Sequence, residues 1–172
     1  MPLVDRQALG PAFDLRTIDE VSDVHAQAET EQANCDAGDD DACIRKDVLF
    51  EQAAAGYRYL LAEDPLGPHA YDCMFNLGTV LYYLERVEDA LAQYRAVEDS
   101  PLGDEHERDA LGNEITILGN MFLAEGQSLI PEEPPTHVDV GEDGMERTIA
   151  DPLPIPPLIA QWQAAMRRWI ER

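Results

Sequence analysis

The chain has 172 residues, is 45% apolar and 7% aromatic, and carries 35 Asp and Glu against 12 Lys and Arg, for a net charge of -23. That length suits one ordinary domain or a few helical repeats with a core that is not strongly aromatic. The acidic excess argues against a nucleic-acid interface or docking on anionic lipid, both of which need a basic face; with Lys46 as the only lysine, it suits a salty environment or a surface that resists aggregation.

Residues 1–46 read as an N-terminal arm, a helix and an acidic loop bracketed by cysteines. Pro2, Gly10 and Pro11 make residues 1–14 irregular, and Asp5, Arg6 and Asp14 interrupt any apolar leader. The expectation is therefore a cytoplasmic protein if Met1 is the native start. Leu15, Ile18, Val21, His25 and Ala28 recur at helical spacing, which predicts a helix over 15–33. Residues 34–43 then read as a loop holding Asp36, Asp39, Asp40 and Asp41 between Cys35 and Cys43. A Cys35–Cys43 disulfide would stabilise the fold by about 2–3 kcal/mol and would point to a periplasmic or extracellular protein processed from a longer chain. The alternative is three unpaired thiols, with Cys73 a small core hydrophobe.

Residues 47–125 read as helical repeats. A helix over 44–63 carries Val48, Leu49, Ala53, Tyr57, Leu60 and Leu61 on one face, and Asp64-Pro65-Leu66-Gly67-Pro68 stops it. Helices follow over 69–84, 87–98 and 104–125, the second of them closed by Ser100-Pro101-Leu102-Gly103. Residues 126–157 hold seven of the twelve prolines and read as a long linker. Residues 158–172 close the chain with an amphipathic helix over 158–171, bearing Leu158, Ile159, Trp162, Met166, Trp169 and Ile170 on one face. The longest apolar runs, Val80–Leu84 and Ile115–Leu123, fall far short of the roughly 18 residues of a membrane span.

The punctuation Pro-Leu-Gly at 65–67 returns at 101–103 and suggests a repeat. Residues 71–102 resemble a tetratricopeptide repeat: Leu77-Gly78 is followed twelve residues on by Ala90, then by Tyr94, and Pro101 closes the unit. Met74 and Leu81 stand where the family has tryptophan and tyrosine. Upstream, Ala53, Tyr57, Leu60 and Pro65 reproduce the second half of a unit; downstream, Leu111-Gly112 lies 34 residues after Leu77-Gly78. Physically, Gly78 and Ala90 let two helices approach and Tyr94 fills the space between neighbouring pairs, which must stack to bury their faces. The expected fold class is all-α, a short α-solenoid of antiparallel helical hairpins with a Pro-rich linker and a C-terminal helix.

The resemblance implies a protein–protein interaction scaffold or assembly adaptor with a groove lined by the first helix of each pair. Its groove positions here are Asp72, Phe75, Thr79, Tyr82 and Tyr83, then His106, Asp109, Asn113 and Thr116. Without Lys or Arg among them, an acidic C-terminal peptide is set aside, and a basic or apolar segment is the expected ligand. The alternative is a structural accessory subunit that docks through Trp162 and Trp169 of the C-terminal helix, which also offers a route to a homo-oligomer.

No enzyme chemistry stands out. A calcium loop begun at Asp36 has Asp41 where glycine is required and Gly38 where a carboxylate is wanted. His25, His69, His106 and His137 lack metal-ligand spacing, and His106 between Glu105 and Glu107 reads as exposed. Gly141-Glu-Asp-Gly144 would repel phosphate, and no Gly-x-Ser-x-Gly elbow occurs. The expectation is a non-enzymatic protein with no cofactor and no metal.

Overall fold

The computed structural model describes residues 17–124, 136–150 and 155–171. The predicted arm over 1–14 lies outside them. The chain divides into two compact units, Met1–Glu114 and Ile115–Arg172, and helix α5 runs through the boundary.

The first unit is built from consecutive helices: α1 (Ile18–Asp36), α2 (Asp40–Glu63), α3 (Ala70–Tyr83), α4 (Val87–Glu98) and the start of α5 (Glu107–Ala124). Helix α1 packs on α2, α2 on α3 and α3 on α4, and the short connections make these neighbours antiparallel. Helix α1 starts with a reciprocal cap: the Glu20 amide donates to Thr17 Oγ1 at 3.3 Å and the Thr17 amide to Glu20 Oε2 at 3.0 Å. Helix α2 is capped by Asp39, whose carboxylate accepts from the amides of Asp41 (3.0 Å) and Ala42 (3.1 Å).

The segment predicted as an acidic loop over 34–43 is thus mostly helix, a correction with a clear cause. Cys35 lies in the last turn of α1, Asp40 and Asp41 in the first turn of α2, and the connection is Ala37–Asp39. Carboxylates there meet the free amides and the positive end of the helix dipole, so the acids help start a helix. The Cys35–Cys43 disulfide is formed and ties the two helix ends together.

The core of this unit is small residues against a few large ones. Val21, Ala28, Phe50, Ala53, Ala54, Tyr57, Leu77, Val80, Ala90, Tyr94 and Val97 are buried. At Gly78 the closeness is measurable: a Cβ there would stand 2.9 Å from Tyr94 Cε1. Helix α3 ends in a motif that needs a left-handed residue. The Arg86 amide donates to Leu81 O (2.9 Å) and the Glu85 amide to Tyr82 O (3.0 Å), with Glu85 at φ 58.

The second unit holds the end of α5, a two-stranded antiparallel sheet, β1 (Thr136–Val140) with β2 (Glu146–Ala150), and α6 (Pro157–Glu171). The described chain is therefore mostly helical, as the all-α expectation has it, with one small two-stranded sheet, and the predicted linker over 126–157 contains that hairpin. The turn explains it. The Gly144 amide donates to Gly141 O (2.8 Å), and Gly144 adopts φ 75, the bulge geometry that a glycine at this position provides. Ile117, Leu118, Phe122 and Ala165 are buried in this unit. Trp162 lies against α5, its indole nitrogen 3.5 Å from where a Gly119 Cβ would be.

Candidate partner-binding surface

The residues expected to line a groove divide into those that bind the helices to one another and those left facing solvent. His106, on the turn before α5, donates from Nε2 to Asp72 Oδ1 at 2.7 Å. Its ring stacks on Phe75 with centroids 4.6 Å apart and planes 9° from parallel, and meets Tyr71 at 5.3 Å. His106 is accordingly half-buried, not the exposed residue its acidic neighbours suggest.

Phe75 also meets Tyr94 at 5.8 Å, and the Tyr94 and Thr79 hydroxyls lie 3.1 Å apart. Burial raises the Tyr94 phenol above its ordinary value, against the hydrogen bonds from Thr79 and Asn113. Tyr83 stacks on Phe50 of α2 at 4.8 Å and 10°, and its phenol is likewise raised by burial. Asp72, Phe75, Thr79, Tyr83, His106 and Asn113 are thus brought together through α2, α3, α4 and the start of α5. Tyr82 (37% exposed) and Asp109 project to solvent beside them. Thr116, Trp162 and Trp169 belong to the second unit, where Thr116 is exposed, Trp162 is half-buried beside Gly119 and Trp169 is 39% exposed.

Two polar features were not among the sequence candidates. Glu114 of α5 is buried and pairs with Arg95 Nε of α4 at 2.7 Å. A carboxylate on the inner face of a helix, with an arginine 19 residues earlier, carries no local signal of pairing. His25 sits on the apolar stripe of α1, with Nδ1 3.1 Å from Tyr57 Oη and edge-on contacts to Phe50 and Tyr57. Burial lowers its imidazole below the ordinary value, against Glu29, which raises it. Burial pushes the Tyr57 phenol up to about 12.

A cleft of about 350 Å³ opens between the start of α1, the end of α2 and the turn into α3, lined by Ile18, Leu60, Asp64, His69 and Cys73 among others. The Cys73 thiol is pushed up to about 11 by burial, so it stays protonated and is a poor nucleophile. Among the described residues, no group of three or more His, Cys, Asp or Glu side chains is placed to hold a metal ion. No described helix is long and apolar enough to cross a membrane.

Searches against protein-family models, curated proteins and solved structures return no match to this chain.

Proposed function

We propose that the chain is a non-enzymatic interaction scaffold or assembly adaptor of tetratricopeptide type that holds a basic or apolar peptide or helix of a partner protein. The observation that carries this reading is the strip on α3 and the start of α5. There Phe75, Tyr82 and Tyr83 provide aromatic anchors, and Asp72 and Asp109 provide charge of one sign. Half-buried aromatics held by stacking lose little freedom on binding, which favours them as anchors. The steering charge agrees with the net charge of -23.

A second reading, a structural subunit that docks through α6, has its own support. Trp169 and Ile170 (73% exposed) lie on this helix beside Arg167 and Arg168. The Cys35–Cys43 disulfide favours an oxidising compartment, periplasmic or extracellular, over a cytoplasmic one.

Selection of a random peptide library on the immobilised protein tests both readings. The scaffold reading expects enrichment of Arg-, Lys- and apolar-rich peptides whose affinity drops about tenfold or more in Tyr82→Ala and Asp109→Ala. It fails if the selected peptides bind those variants unchanged. Loss confined to Trp169→Ala would instead favour docking through α6.

A further inference from the structure

The described strands of the hairpin in the second unit are exposed. Every residue of β1 and Glu146–Ile149 of β2 are exposed, including Val138 (60%), Val140 (59%) and Ile149 (40%). Among the described residues no third strand joins this sheet; a two-stranded ribbon is marginally stable at best, and an open edge is a template for a further strand.

The hydrogen-bond pattern decides what each edge can accept. The Gly141 amide donates to Met145 O at 3.0 Å, and the register pairs Asp139 with Arg147 and His137 with Ile149. In an antiparallel ladder the inward- and outward-facing residues alternate. The amides and carbonyls of His137, Asp139 and Gly141 therefore face β2, and those of Thr136, Val138 and Val140 face outward.

A second β1 can bond only to that outward set. With Val138 opposite Val138 of the other copy, Thr136 bonds to Val140, and His137 lies directly opposite Asp139 in the close, non-hydrogen-bonded pair. The two-fold repeats that imidazole–carboxylate pair, and each Asp139 keeps Arg147 as its neighbour within the hairpin. A slip of two residues either way sets His137 against His137 or Asp139 against Asp139. Pairing through the β2 edge sets Arg147 against either Ile149 or Arg147. Of these homotypic pairings, β1 centred on Val138 is the one that sets a hydrogen-bond donor, the His137 imidazole, against an acceptor, the Asp139 carboxylate, at both pairs.

We propose that β1 is a homodimerisation edge, where two copies of this chain join antiparallel about Val138 into a four-stranded sheet. The occupant is a second copy because the complementarity is between the strand and itself. The inference is independent of the scaffold reading.

The test uses the full chain. Sedimentation equilibrium is expected to give a species of twice the 19.2 kDa protomer mass. His137→Asp should weaken the dimer about tenfold, by setting two carboxylates face to face at both pairs, and the swap His137→Asp/Asp139→His should restore it. Val138→Pro removes an outward amide, which the hairpin's own ladder does not use, and should give a monomer with unchanged helical circular dichroism. Under oxidising conditions Val138→Cys should cross-link, since the facing Cα atoms of a hydrogen-bonded pair lie about 5.5 Å apart, whereas Val140→Cys should not, its copies standing about 14 Å apart. The native cysteines do not compete, because Cys35 and Cys43 are joined and Cys73 is buried. A wild-type monomer at millimolar concentration overturns the proposal. So does failure of the charge swap to rescue, cross-linking through Val140→Cys but not Val138→Cys, or assemblies that keep growing with concentration.

Discussion

His106 and Asp72 stand 34 residues apart in the chain and 2.7 Å apart in space. Asp72 lies in the first turn of α3 and His106 on the turn before α5, and the imidazole joins the two by its bond to Asp72 and its stacking on Phe75. Removing the ring should cost more than removing the charge. His106→Ala is expected to destabilise by about 1–2 kcal/mol, through lost stacking and burial. Asp72→Asn should cost less than about 1 kcal/mol, since its side chain is half exposed. Urea denaturation of the two variants and the double mutant measures both effects.

The approach of α3 to α4 is set by Gly78. Gly78→Ala places a methyl 2.9 Å from Tyr94 Cε1, and the ring is held by Thr79 and Phe75 and has little room to yield. The expected loss is about 1–3 kcal/mol, read as a lower urea midpoint at unchanged slope. An unchanged midpoint would mean the helices separate without cost.

Glu85 occupies a left-handed position that favours glycine. Glu85→Gly should raise stability by about 1 kcal/mol, because removing the Cβ relieves a crowding cost of about 1–2 kcal/mol and part of that gain is returned as backbone entropy. A rise in Tm checks it.

His25 makes stability depend on pH. Its folded-state pKa lies below the ordinary 6.5, so around and below that pH the unfolded chain takes up the proton first. The stabilisation is full above about pH 6.5 and is lost as pH falls through the folded-state value, below which both states are protonated and the loss levels off. His25→Gln should flatten this part of the stability profile. Parallel profiles for wild type and variant between about pH 5 and 7 would remove His25 as the cause.

Reduction of Cys35–Cys43 should cost about 2–3 kcal/mol, since the bond closes a short loop. The same chain with and without reductant, unfolded in urea, gives the value directly.

The helices were legible because apolar residues recur at three and four and because prolines punctuate them. Leu77, Leu81, Ala90 and Tyr94 follow from the helical spacing in the sequence, and all are buried. The start of α2 was hidden because Asp39, Asp40 and Asp41 resemble loop residues until their amide partners are seen. The hairpin was hidden by the prolines around it, although Val138 and Val140 alternate with polar residues ahead of Gly141 and Gly144. His106 was legible as a groove position but not as a stacked ring, because its partner Phe75 is 31 residues away in the chain.

The disulfide across the α1–α2 turn also changes what a cut there means. Ala37, Gly38 and Asp39 are exposed and lie inside the covalent ring that Cys35 and Cys43 close. A protease that opens the chain at Gly38 leaves a single molecule with both helices still attached, and two fragments part only in reductant. This exposed turn is therefore one at which cleavage does not part α1 from α2.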